Sequence, residues 1–386
     1  MGRKSAVDVA MLLSLVAIAV AAPAPARAQA VIKVTDDVSL KFGGQVQAWG
    51  DLAEDAQGYY TKNLYIRRLR FLMGGQVAKP VTFFLQADVS NLGKPGNKGP
   101  GLSILDAFLS YKPFAASESS TLRDALQIDA GLFLVPLCRN ALQSTLTFLS
   151  LDVAATTLVD NFNGLGLRDT GLQLRGFFFD SHLEYRLAAF QGLRTASGRN
   201  PLRLAGYLQY DLFDREKGYA YQGYNYGKSK ILALSAGIDA QGSFRALSAS
   251  LAVALPVREG DELDGLVQYL HYDGGKTLGY VVDPEKKTES GIPVQNDVLV
   301  EVAYYIGALQ LAPFAKFESQ YFVDGNLNQN KGVMYFGGGF KYFVAASNLN
   351  FTVAYTRAQP RSSADAAGVA RKGLNQVTAQ LQMFYF

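Results

Sequence analysis

One stretch, residues 64–77 (LYIRRLRFLMGGQV), restricts the architecture of this chain more than any other, because it sets three arginines in apolar sequence. Wound as a helix, it scatters Arg67, Arg68 and Arg70 around the cylinder. Laid out as a strand, with successive side chains on opposite faces, it puts Arg68, Arg70, Gly74 and Gln76 on one side and Leu69, Phe71, Met73 and Val77 on the other. A strand that is polar on one face and apolar on the other suits a barrel wall with water inside and lipid outside.

The N-terminus sets the compartment. Arg3 and Lys4 are followed by an apolar run over 9–22 and then by Ala26-Arg27-Ala28 or Ala28-Gln29-Ala30, a small-x-small cleavage site. That order describes an export signal over residues 1–30. The run is too short to span a bilayer comfortably, and Pro23 and Pro25 end it. Beyond residue 30 no stretch of about 20 apolar residues exists, so no transmembrane helix is available. Hydrophobic residues still make up 49% of the chain and aromatics 12%, a composition suited to many half-apolar strands with aromatics at the interfaces.

Of the formal net charge of +4, the export segment holds +2 (Arg3, Lys4 and Arg27 against Asp8), leaving the remainder close to neutral. Nucleic acid, which calls for a strong basic patch, is excluded as a partner on that ground. Cys138 is the single cysteine, so no intrachain disulfide can form, and it reads as an inert apolar residue. No Pro-, Ser- or Gly-rich linker divides residues 31–386, which therefore read as one barrel domain.

Period-two alternation marks about 16 strands, at 39–51, 64–77, 81–90, 103–112, 126–135, 168–178, 182–191, 201–213, 230–239, 243–255, 263–272, 297–306, 309–320, 332–343, 348–356 and 374–386. The expected fold is all-β, a closed transmembrane antiparallel barrel with no exposed edges. With the N-terminus in the periplasm, the long connections starting near residues 91, 136, 273, 323 and 359 fall outside. The short ones near 78, 179, 307 and 344 fall inside. Two segments fit this rule poorly, 113–125 and the tyrosine-rich 214–229, which are long yet periplasmic; both are expected to be irregular. The longest interruption, 136–167, has a size usually reserved for function.

No catalytic constellation stands out, so an enzyme is not expected, nor a metal or cofactor. His182 and His271 sit apart at strand ends. No Gly-rich phosphate loop carries its Lys-Ser or Lys-Thr, and Gly337-Gly338-Gly339 lies in a strand, where close packing or a bend is expected. The chemistry is on the inward face. Parity places Lys41, Arg68, Arg70, Arg175, Arg186, Arg203, Lys316 and Lys341 there, together with Asp88, Asp106, Asp129, Glu184, Asp211, Asp239, Glu301 and Glu318. In hydrocarbon each would cost about 2–4 kcal/mol at midplane. Two readings stay open for them: a basic ladder that guides anions, or acid–base pairs that stiffen the wall.

The Ile66-Arg67-Arg68-Leu69-Arg70 strand with Gly74-Gly75, the Arg168-Asp169-Thr170-Gly171-Leu172-Gln173-Leu174 strand after a long interruption, and the closing Gln380-Leu381-Gln382 to Phe386 strand resemble the phosphate-selective porin O and P family. The resemblance implies a trimeric 16-stranded barrel of the outer membrane, in contact with its lipid. It also implies that the third external loop, 136–167 here, folds inward to constrict the pore, and that arginines and lysines guide anions. Arg68 and Arg70 become wall arginines, and Arg139 joins the anion path. The loop is otherwise poor in bases and carries Asp152 and Asp160. The expected function is therefore a passive channel for small polar solutes or anions, with a structural, adhesive or enzymatic barrel lacking an open pore as the alternative.

Overall fold

The computed structural model describes residues 30–97, 101–160, 167–194, 199–283, 285–286, 288–323, 332–364 and 368–386. The expected export signal lies outside the described residues apart from Ala30. Among the described residues sixteen antiparallel strands form a closed ring: β1 (Ser39–Glu54), β2 (Tyr60–Ala78), β3 (Val81–Leu92), β4 (Leu102–Tyr111), β5 (Gln127–Leu134), β6 (Arg168–Phe178), β7 (Leu183–Phe190) and β8 (Arg203–Asp211). The ring continues with β9 (Ile231–Gln241), β10 (Phe244–Arg258), β11 (Asp261–Asp273), β12 (Gln295–Tyr305), β13 (Leu311–Phe322), β14 (Val333–Ala345), β15 (Leu349–Pro360) and β16 (Leu374–Tyr385). Each strand pairs with its sequence neighbours, and β16 closes on β1 from Gln376↔Ala53 to Tyr385↔Gly44. A short strand, Ala30–Lys33, pairs with the start of β1.

Alternation is realised directly. Phe71, Leu109, Leu187, Leu247, Val267 and Leu381 stand exposed on the outer face, while Gln47, Arg70, Asp129, Arg186, Asp239 and Gln268 are buried inside. An apolar outer band of this extent is unsuited to water and suited to hydrocarbon. No described helix is long and apolar enough to cross a membrane. The fold and its outer face are those of an outer-membrane barrel.

The register contains one departure that alternation alone does not show. Gln47 pairs with Arg68 but Ala48 pairs with Ile66, so Arg67 is the extra residue of a β-bulge. Strict alternation would turn Arg67 toward lipid. The bulge brings it inside next to Arg68, where it reaches Asp152 at 2.9 Å and lies 5.4 Å from the centre of the Trp49 ring. The last residue also turns inward: Phe386 meets Phe84 edge-on and covers Gly43 and Gly74, two inward positions where a Cβ would come within 2.6 and 3.0 Å of its ring.

Seven connections, including Lys79-Pro80, residues 179–182 and 346–348, lie at the end where both termini sit, here the turn end. Longer ones, including 135–167 and 274–294, lie at the opposite loop end. The misfit segment 112–126 carries a short helix, Ser120–Asp124. The other misfit, 212–230, enters the lumen.

Candidate functional site: the occupied lumen

The third loop-end connection, residues 135–167, touches inward side chains from opposite walls, and so it crosses the barrel. On one side Arg70 Nη1 donates to Thr145 Oγ1 at 2.8 Å, and Arg67 and Arg68 clasp the Asp152 carboxylate. Across the lumen Lys341 Nζ donates to the Phe148 carbonyl at 2.6 Å, and Ser150 Oγ donates to Glu301 at 2.5 Å. A third attachment runs along β10 and β11, where Ser248 Oγ donates to the Leu137 carbonyl at 2.5 Å and the Asn140 N–H donates to Gln268 at 3.0 Å. Burial alone would push the Asp152 carboxyl up. Arg68 and Arg67 outweigh it and hold the group well below the usual carboxylate range.

The wall beneath this loop is built to receive it. Ala233, Ala246, Ala252 and Ala254 face inward and are buried, and a Cβ at inward Gly237 would lie 1.9 Å from the Leu137 carbonyl. Leu137, Cys138, Ala141 and Leu142 of the loop pack with Tyr207, Tyr221, Phe244 and Leu270 in one apolar cluster. Cys138 is fully buried there.

From the turn end, residues 212–230 rise to meet the loop. Tyr221 forms a parallel bridge with Gln143: its N–H donates to the Leu142 carbonyl at 3.0 Å and its carbonyl accepts from the Ser144 N–H at 2.8 Å. Tyr224 Oη donates to the Leu149 carbonyl at 2.7 Å, and the Gly223 N–H donates to Thr147 Oγ1 at 3.0 Å. The segment is fastened by the Glu262 carboxylate, which accepts from the N–H groups of Asn225, Tyr226 and Gly227 at 2.7–3.1 Å. Two chain segments entering from opposite ends thus meet mid-lumen. The sequence signal for the second is the run of tyrosines itself: Tyr219, Tyr221, Tyr224 and Tyr226 are amphipathic groups that bury a ring while their hydroxyls find partners.

The candidate bases differ in setting. Arg68 and Arg70 hold the long loop, Arg70 also pairing with Asp88 at 3.4 Å. Arg175 pairs with Asp129 at 2.7 Å and Arg186 with Glu184 at 2.8 Å, and both donate to the Gly218 carbonyl of the tyrosine segment. Arg139 is buried between Gln209 and Glu216, 2.7 Å from Glu216 and 4.6 Å from the centre of the Tyr221 ring. Arg203 pairs with Asp239 and sits 3.5 Å from Asp169. Lys341 binds loop carbonyls, and Lys41 is exposed at the turn end of β1. His182 and His271 sit at strand ends, donating from Nδ1 to the Asp211 carbonyl (2.6 Å) and to Asn296 Oδ1 (2.8 Å).

Lys316 borders open volume. A cavity of about 170 Å³ lies between loop residues 150–152 and the wall formed by β13–β16 and β1. Its lining includes Trp49, Phe314, Tyr335, Gly337, Thr356, Gln376 and Thr378, with Lys316 paired to Glu318 at 2.7 Å. Sequence parity assigns these positions to the inner face without distinguishing them from the filled side.

The architecture is a porin fold, a 16-stranded barrel with its third loop turned inward. No family model and no curated protein matches the chain. Among solved structures it is similar to an anion-selective porin from Comamonas acidovorans (12% identity, TM-score 0.59, covering 90% of this chain and 100% of that one). It is similar also to OmpF of Salmonella typhi in complex with daunomycin (14%, TM-score 0.58, 92% and 100%) and to the outer membrane channel DcaP of Acinetobacter baumannii (13%, TM-score 0.57, 92% and 99%). At these identities the likeness is one of fold.

Proposed function

We propose that the chain is a non-catalytic, passive diffusion channel for small polar solutes in the outer membrane, working as a homotrimer. The observation that carries this reading is the cavity beside the inward loop, walled by partly exposed polar groups. Likeness in fold to porins and channels supports it. The loop end then faces outward and the turn end the periplasm.

Anion preference on this reading is weak. The arginines that could form a ladder each face a carboxylate, and Asp152 stands between Arg67 and Arg68 at the edge of the cavity. Opposite charges held together cancel the field that would otherwise attract an anion. Phosphate selectivity, implied by the sequence resemblance, would need bases left unpaired at the narrowest point.

A second reading, a barrel without an open pore, has the two inward segments in its favour. Single-channel conductance of purified protein in planar bilayers separates the two. Discrete conductance steps are expected; a silent bilayer with correctly folded protein would leave the closed barrel as the answer.

A further inference from the structure

Resting on the channel reading, we propose that the Gly337 cavity is a binding station for a small, uncharged, hydroxyl-bearing solute of the cyclic polyol or sugar class. Gly337 occupies an inward position of β14, level with Lys316 on β13 and Thr356 on β15. A Cβ built there would meet the Tyr355 carbonyl at 3.2 Å and Thr356 Oγ1 at 3.5 Å, so a side chain could be accommodated with a small adjustment, and its absence leaves room in the lumen. The next inward glycine differs: a Cβ at Gly339 would come within 2.0 Å of the Val353 carbonyl, which makes Gly339 a packing glycine.

The chemistry around this space is that of a hydroxyl acceptor site. Phe314 and Trp49 supply apolar surface. The hydroxyls of Tyr335 and Thr356 have no hydrogen-bond partner among the described residues, and both side chains are half-buried, so they remain available to a solute. Lys316 and Glu318 are 2.7 Å apart and add no net charge; Lys316 also donates to the Asp152 carbonyl at 3.3 Å, and Glu318 accepts from the Thr156 N–H at 3.2 Å. An anion there would lie beside Glu318 and a cation beside Lys316, each facing a charge that the pair already balances. A neutral ring bearing several hydroxyls satisfies both without surrendering ionic hydration, as small-molecule sites with apolar walls and few convergent polar groups do.

The test uses full-length protein in proteoliposomes and three solutes of one size, glucose, gluconate and glucosamine, followed as tracers in KCl. Glucose influx is expected to exceed both charged analogues and to saturate with concentration, where a plain hole would give a linear rise. Thr356→Val, which keeps the shape and removes one hydroxyl, is expected to weaken the saturable component about fivefold. Gly337→Leu should remove it. Gluconate entering as fast as glucose through a conducting channel overturns the station, as does glucose influx unaltered by Thr356→Val. A barrel that conducts no ions at all sinks the channel reading itself, and the station with it.

Discussion

The two sides of the lumen use the same inventory of charged residues to different ends. Over β5–β9 the charges are consumed: Arg175, Arg186, Arg203 and Arg139 each engage a carboxylate, and the carbonyls of the tyrosine segment take up further donors. Over β13–β16 and β1 part of the wall stays open, with Gly337 and hydroxyl side chains facing a cavity beside the Lys316–Glu318 pair. An arginine facing a barrel interior therefore does not by itself mark a path. What matters is whether a backbone segment or a carboxylate has already claimed it.

The largest effect should come from releasing the filled side. Tyr221→Ala with Tyr224→Ala removes two buried rings, the hydroxyl bond to Leu149 and the packing that holds the tyrosine segment against the long loop. A stability loss of about 3–5 kcal/mol per ring is expected, with single-channel conductance higher and noisier than in the wild type. Unchanged conductance would mean that the tyrosine segment does not limit the open sector.

Next comes Arg175→Ala, which leaves Asp129 buried without its charge partner. About 3–5 kcal/mol should be lost, measured as a lower unfolding temperature in detergent, while the anion-to-cation permeability ratio stays where it was. A changed ratio at intact stability would return Arg175 to the solute path.

Both sides of the lumen are legible in the amino-acid sequence to different depths. All sixteen strands and the inward side of the wall charges follow from period-two alternation, because a one-residue slip would carry a whole row of charges into lipid. Two features escape it for physical reasons. The bulge at Arg67 adds a residue without altering composition, and only the cost of a third arginine in hydrocarbon hints at it. The tyrosine segment reads as an irregular periplasmic connection, since alternation says which face a residue takes and nothing about what fills the space beyond. The small inward residues of β9 and β10, Ala233, Gly237, Ala246, Ser248, Ala252 and Ala254, are the trace of that filling. Parity likewise cannot show that Arg67, Arg68 and Arg139 are paired, because their partners, Asp152 and Glu216, lie in connecting segments.

The smallest effect concerns pH. A carboxyl held below its ordinary value contributes stability that is present above the unfolded pKa, near 3.9, and is lost only as pH falls through the lower folded value. Asp152 should thus stay ionised, and its clasp on Arg67 and Arg68 closed, down to about pH 4. Reversal potentials should be flat from pH 7 to that point; a drift toward anion selectivity already between pH 5 and 4 would show that Asp152 titrates at its ordinary value and that the clasp is weak.

The paired state of the arginines is tested most directly by the reversal potential across a KCl gradient, wild type beside Asp152→Asn. The wild type is expected near zero, only slightly anion-preferring, and the substitution should move it clearly toward anions by freeing Arg67 and Arg68. Strong anion selectivity in the wild type that Asp152→Asn leaves unchanged would contradict the account.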